Sequence, residues 1–499
     1  MDLMIATRSF LPAPGVAAWG TPAGDAAHAA LGLAKGLRAL GHRVTLVAPL
    51  DPERHATIGL ARRLSPLVVA AGAHRHERTI YDARLPSGVE IVLLGGESPQ
   101  EATSEPERAA RTAWFGHAVA ALARQRLGAV TPRPGATDSE LEAVVAVGEG
   151  AAFAMLAIRE DAKVPASDGG PSPRLLAGLS RLYVALDPAE SPVLPRAALP
   201  AIGLEDALFT PDGIEFYGEA SLAKAGALSA DRVLALGDPL RDALMKAGAA
   251  HRYDGVFRAR AKDVLSIGGG IDLAQYNPAT DPHLAARFDP DDLTGKARQK
   301  SALLGELGLE PNVELPLFAL VSGEAPPALG AAVAALSRAM RGELHALVAL
   351  GAASVPPEVD AALQRLAKTH SGRFAVRLGV PEPQLHRMVG AADHLLVVDA
   401  ECATATAARA GMRYGAVPIA VRSPAAEEAI VDAEATLATG TGFLADSSDP
   451  ESIFSAIQRA IGAQGTPAMR KLRRRAMRVE GGWERSARRL EAILKQLEE

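Results

Sequence analysis

The sequence predicts an α/β protein built from two doubly wound, Rossmann-like parallel sheets, and three observations carry that reading. At 499 residues the chain is too long for one ordinary core, so two domains of roughly 200 to 250 residues are expected. Near the start, LMIA (Leu3 to Ala6) and VTLVA (Val44 to Ala48) are short apolar runs of strand type. Between them, Asp25 to His42 repeats Ala30, Leu33, Leu37 and Leu40 at helical spacing and closes at Gly41, which makes a βαβ unit. In the second half five such runs alternate regularly with helical stretches, as a second parallel sheet requires.

In order, Ala143 to Ile158 is the most apolar run, but Glu149 stands at its centre and it falls short of a membrane span. It reads as a buried strand, a turn and a helix. Further strands are expected at Leu182 to Leu186 and Val233 to Leu236. The second sheet takes Leu317 to Val321, Ala346 to Leu350, Phe374 to Leu378, Leu395 to Val398 and Val417 to Val421. Its helices are 327–341, 357–369, 383–391 and 403–414, and Ala468 to Glu499 is a long helical tail. Segments 97–110, 131–140 and Lys163 to Arg174 read as polar loops, the last of them mobile.

Composition narrows the function classes. The formal charge of −5 argues against broad nucleic-acid binding. Aromatic residues are only 4% of the chain, so it lacks the stacking platforms that sugar-binding surfaces often use. The single cysteine, Cys402, excludes an internal disulfide and suits the cytoplasm. MDLMIATRSF has no basic flank followed by a long apolar run, so no signal peptide is expected. No membrane partner and no metal site are expected either.

The stretch SIGGGIDLAQYNPATDPHL, Ser266 to Leu284, organises the rest: an apolar strand, three glycines and a polar loop. Upstream stands LFTPDGIEFYGEASLAKAGALSADRV (Leu208 to Val233), downstream DDLTGKARQKSALLGELGLE (Asp291 to Glu310). Further out lie RLGVPEPQLHRMVGAADHLLV, MRYGAVPIAVR and WERSARR. In this order and spacing the blocks resemble bacterial glycogen synthases and plant starch synthases over nearly the whole chain. The resemblance implies the glycosyltransferase B fold, two Rossmann-like domains facing across a cleft. It implies an amino-terminal acceptor-side domain at 1–262 and a nucleotide-sugar-side domain at 263–467, with the helices of 468–499 crossing back to the first. It also implies ADP-glucose as donor, with no further cofactor.

That chemistry makes physical demands. A departing diphosphate gains charge and needs cations beside it, and an oxocarbenium-like sugar must be held in one geometry. The family meets them with a Lys-Thr-Gly-Gly loop, an Arg and a Lys in Ser-Arg-Leu-Thr-x-Gln-Lys-Gly, a His in His-Asp-Trp and a Glu in Glu-Pro-Cys-Gly. Counted without gaps from neighbouring blocks, the five positions here carry Pro22, Gly323, Ala328, Gly148 and Cys402. None keeps the family's residue, so no intact catalytic set is expected. Asp25 stands where the loop has its second glycine, and Leu186-Asp187 where the family has His-Asn. SPAAEEA (Ser423 to Ala429) lacks the family's Gly-Gly pair.

Asp25, His28, Glu149, Asp187, Gly269 and Thr404 are the cleft-lining candidates that the resemblance supplies. The carboxylates and the histidine suit either an acid–base or metal site or, the preferred reading, solvated residues filling an emptied pocket. Cys402 is read as a buried inert thiol rather than a nucleophile. The basic run Met469 to Arg478 is read as a wet helix face. Arg377, Arg413 and Arg422 are the cations nominated near strand ends of the second domain. Two functions follow. One is a catalytically degenerate homologue that binds or regulates in α-glucan metabolism, with an α-glucan or an active synthase paralogue as partner. The other is a working glycosyltransferase adding α-1,4-linked glucose from ADP-glucose through an unusual site.

Overall fold

The computed structural model describes residues 1–10, 22–96, 104–127, 141–163, 176–248, 252–398 and 403–498. The chain divides into two compact units. The first is Met1–Leu11, Ala26–Gly268 and Trp483–Glu499; the second is Pro12–Asp25 and Gly269–Gly482.

The first unit is built on a nine-stranded sheet. Its strands are β1 (Asp2–Ala6), β2 (Arg43–Pro49), β3 (Ala61–Arg62), β4 (Ile80–Arg84), β5 (Glu90–Leu94), β6 (Leu141–Val147), β7 (Ser180–Val184), β8 (Arg232–Ala235) and β9 (Val264–Ser266). They run in the order β9-β8-β7-β6-β1-β2-β5-β4-β3, parallel throughout except at the β5-β4-β3 edge. The strands β1 and β6 are near-continuous buried apolar runs, as strands covered on both faces must be. The helix Pro22–Ala39 joins β1 to β2, the βαβ unit expected from the periodicity.

Several readings change here. The polar loop expected at 97–110 gives way at Glu105 to a helix, Glu105–Leu127, whose Glu105 and Glu107 sit in its first turn where the helix dipole favours carboxylates. Segments 131–140 and 164–174 lie outside the described residues. The strand Val264–Ser266 pairs in register with β8, so the first unit extends past residue 262 to Gly268. The tail does not behave as one piece: the helix Pro467–Met477 groups with the second unit, and only Trp483–Glu499 returns to the first. There a Cβ on Gly32 would meet the Trp483 ring at 2.1 Å, so the glycine is what admits the indole.

The second unit has a six-stranded parallel sheet: β10 (Leu317–Ser322), β11 (His345–Leu350), β12 (Phe374–Arg377), β13 (His394–Val397), β14 (Val417–Val421) and β15 (Phe443–Ala445). The order is β12-β11-β10-β13-β14-β15. Numbered within the unit that is 3-2-1-4-5-6, the doubly wound order, with its topological switch between β10 and β13. Apolar clusters cover both faces of this sheet.

Polar braces tie the quoted blocks together. The Asp281 carboxylate accepts from the Tyr414 hydroxyl and lies 2.8 Å from His386 Nδ1. One residue each thus comes from NPATDP, MRYG and the 377–397 block. The buried Lys296 donates to the carbonyls of Gly390 (2.9 Å) and Tyr414 (2.8 Å). Lys300 donates to Val313 O, Leu315 O and, at 2.7 Å, Asp393 Oδ2. In the first unit Lys224 likewise donates to Pro211 O and Glu215 O, both at 2.6 Å.

Candidate functional site

In parallel α/β sheets ligands sit at the carboxyl ends of strands beside the switch point. In the first unit that end of β6 carries Gly148, with φ 77° and ψ 166°, opening the short helix Glu149–Ala152. Its N–H donates to Val184 O at 3.0 Å, and its carbonyl accepts from Ala151 N at 3.1 Å. A Cβ there would stand 3.1 Å from Ala26 Cβ. The position that counting assigned to a histidine therefore has a backbone almost reserved for glycine.

The Glu149 side chain is buried and turned into the fold. Its Oε1 accepts from Tyr183 Oη (2.8 Å), Leu186 N (2.9 Å) and Asp187 N (3.0 Å). Burial pushes its pKa up, and these three hydrogen bonds oppose the rise. Asp187 in turn caps the one-turn helix Pro188–Glu190, accepting from Ala189 N at 3.0 Å. Glu149 thus braces the loop after β7 from a buried position, while the half-buried Asp187 side chain caps an exposed turn of that loop. His28 is half-buried on the helix Pro22–Ala39.

In the second unit the turn after β10 contains Gly323, buried, and Ala328, half-buried, which precedes the helix Leu329–Ala339 with no side-chain cap. The partner strand at the switch, β13, leads to the helix Thr406–Arg413. Cys402 lies outside the described residues. Thr404 is buried, with its Oγ1 2.7 Å from Thr406 Oγ1. Ala405 closes this turn in the left-handed region at φ 49°, ψ 34°.

Asp25 groups with this unit and is 2% exposed. It lies in the first turn of the helix that Pro22 opens. Its Oδ2 accepts from Ala403 N and, at 3.2 Å, from Thr404 N; its Oδ1 accepts from the Thr404 hydroxyl. Asp25 is therefore a fully engaged carboxylate, not a solvated residue.

Sequence reasoning missed two residues here. The Arg409 guanidinium, 5% exposed, pairs with Glu428 and donates from Nε to Thr404 O at 3.2 Å. Gly269 N donates to Glu428 Oε1 at 3.4 Å, and a Cβ on Gly269 would come within 3.3 Å of Arg409. The signal was an arginine in ATAARAGMRYG, where every residue from Thr406 to Met412 is buried. A lone cation amid small buried residues must be paired. The nominated arginines serve elsewhere. Arg377 is exposed, Arg413 donates to Met477 O, and Arg422 pairs with Glu427 and Asp446.

The second unit thus brings Asp25, Gly269, Thr404, Arg409 and Glu428 together, and the first joins Gly148, Glu149 and Asp187. Among the described residues no group of three or more His, Cys, Asp or Glu could hold a metal ion, and no helix is long and apolar enough to cross a membrane.

No family model matches the chain. Whole proteins do. A glycogen synthase of Anaeromyxobacter sp. (strain Fw109-5) is 30% identical over 486 residues, 95% of this chain and 95% of that protein. One from Bordetella bronchiseptica is 34% identical over 304 residues, 59% of each. The catalytic domain of starch synthase IV from Arabidopsis thaliana, bound to ADP and acarbose, superposes with a TM-score of 0.81 at 17% identity, covering 100% of this chain and 99% of that one. Sucrose-phosphate synthase from Thermosynechococcus elongatus gives 0.58 at 14%, covering 100% of this chain and 99% of that one. At such identities the structural likeness speaks for the fold, which is the glycosyltransferase B fold. With the relative that matches nearly end to end, it follows that the chain belongs to the glycogen synthase family.

Proposed function

We propose that this chain is a catalytically degenerate member of its family, acting in α-glucan metabolism by binding or regulation rather than by glucosyl transfer. The observation that carries the reading is the turn after β10. Between Ser322 and Leu329 it offers no positive side chain, and Gly323 and Ala328 stand at the places counted for the arginine and lysine. Removing one cation from a diphosphate site costs about 3 kcal/mol, roughly a hundredfold in rate, and two are missing from this turn. Pro22 removes a third on the same count. The glycine backbone at 148 argues the same way for the histidine.

The partner in this reading is an α-glucan or an active synthase, and the compartment is the cytoplasm. Neither nucleic acid nor membrane is engaged, and no cofactor is required. The competing reading, transfer of glucose from ADP-glucose in α-1,4 linkage, draws on Arg409, a cation near the switch point. Against it, that guanidinium is already engaged by Glu428 and by the Thr404 carbonyl.

The test is incorporation of labelled glucose from ADP-glucose or UDP-glucose into glycogen by the purified protein. Background incorporation is expected. Turnover on the order of 1 per second, ordinary for an enzyme, would sink the degenerate reading.

A further inference from the structure

The amides of Ala403 and Thr404 lie just ahead of the helix Thr406–Arg413, which follows β13, the strand beside the switch point. Two successive N–H groups and a hydroxyl at such a place form a cradle for an anion. Here the cradle is filled from within the chain. Both amides and the Thr404 hydroxyl donate to Asp25, 378 and 379 residues away in sequence. The carboxylate is buried, and its own position in the first turn of a helix favours negative charge there.

The surrounding charges reinforce the occupancy. Arg409 lies against the Thr404 carbonyl and pairs with Glu428, which also accepts from Gly269 N. Among the described residues of this group, Asp25 and Glu428 set two negative charges against the one positive charge of Arg409. An arriving phosphate would meet filled donors and net repulsion.

We propose that Asp25 is a built-in anion that occupies the phosphate-accepting donors of the 403–405 turn, so that a nucleotide phosphate binds there only by displacing it. The chain's own carboxylate then acts as an intramolecular competitor, and the class of ligand it excludes is the nucleoside diphosphate. The consequence for function rests on the degenerate reading above, whereas the geometry does not.

The experiment titrates pyrophosphate and ADP into the full chain by calorimetry, for the parent, Asp25→Gly and Asp25→Asn, at low and high salt. Amide hydrogen exchange is followed at Ala403 and Thr404. Asp25→Gly should tighten pyrophosphate by about tenfold or more, with an effect that shrinks at high salt. Asp25→Asn keeps one acceptor and loses the charge, so it should give a smaller gain. Exchange at the two amides should accelerate in Asp25→Gly. Unchanged exchange would show that the carboxylate does not hold these donors, and would overturn the proposal. So would an Asp25→Gly variant that melts cooperatively yet binds pyrophosphate no better than the parent. Should that variant fail to fold, Asp25→Asn decides, and no gain there overturns the proposal equally. Turnover by the parent would sink the degenerate reading and leave this result standing; a null result here leaves the turnover assay untouched.

Discussion

Placing a histidine at position 148, where counting puts the family's, should destabilise the protein. Gly148 holds φ 77° and ψ 166°, a region that side-chain-bearing residues scarcely enter, and hydrogen bonds to Val184 and Ala151 pin it there. Forcing a non-glycine residue into such a conformation costs about 1–3 kcal/mol. The new Cβ would also press within 3.1 Å of Ala26 Cβ and 3.6 Å of Leu186 Cδ1, and crowding of a packed site typically adds about 1–3 kcal/mol. We therefore expect Gly148→His to lose about 3 kcal/mol and Gly148→Ala about 2 kcal/mol, since alanine carries the backbone strain with less bulk. For a unit of this size each kcal/mol moves the melting temperature by roughly 2–4 °C, so the histidine variant should melt roughly 6–12 °C lower. Thermal unfolding followed by circular dichroism reads this directly, with labelled-glucose incorporation run beside it. A Gly148→His protein melting with the parent would refute the backbone argument.

Two further outcomes concern the second unit. Ala405 sits in the left-handed region, where alanine is strained and glycine is not, so Ala405→Gly should stabilise by about 0.5–1 kcal/mol after the entropy of the freer unfolded chain is subtracted; a destabilised variant in urea titration would contradict that. Burial works against a charged His386, yet the hydrogen bonds to Asp281 and Glu382 hold its pKa up at about 9, against an ordinary 6.5. Because the folded value is the higher one, this stabilisation is complete below pH 6.5 and disappears as pH rises through 9, a loss of about 3 kcal/mol. His394, lowered by burial to about 4, gives the opposite slope, its contribution being lost as pH falls below 6.5. Stability of the second unit should accordingly peak near neutrality, and His386→Gln should flatten only the alkaline limb. An unchanged alkaline slope in that variant would remove His386 from the account.

Much of the fold was legible because its signals are local. Buried parallel strands write themselves as short apolar runs, and the second sheet's strands and helices fall close to where the alternation put them. The β5-β4-β3 edge was not legible. Ala61–Arg62 is only two residues, Ile80–Arg84 is half-buried and polar, and the neighbouring strand His74–Arg78 is exposed and carries no apolar alternation at all. The helix Glu105–Leu127 was not read as a helix, and its opening residues read as polar loop. Of the site, the sequence named Gly148, Glu149, Asp187, Asp25, Gly269 and Thr404, but not what each one does. The backbone angle at Gly148, the partner of Asp25 nearly four hundred residues downstream and the Arg409–Glu428 pair are all consequences of tertiary packing.

That division shows how a chain can resemble its family closely whatever stands at its catalytic positions. The blocks that carry the resemblance are cross-braces. Asp281, His386 and Tyr414 meet in one buried cluster, and Lys296 and Lys300 spend their charges on carbonyls and on Asp393. Removing one partner of such a buried pair leaves a stranded polar group or charge, at about 3–5 kcal/mol, a large fraction of a protein's net stability. Cations held ready for a ligand's phosphates have no such internal partner. They repel one another and gain nothing until the ligand arrives, so replacing them with glycine or alanine need not weaken the fold. An emptied donor site still leaves backbone amides that must be paired, and at Ala403 and Thr404 they are paired by Asp25. If the chain is degenerate as proposed, the carboxylate at position 25 and the uncharged residues at 323 and 328 are parts of one change.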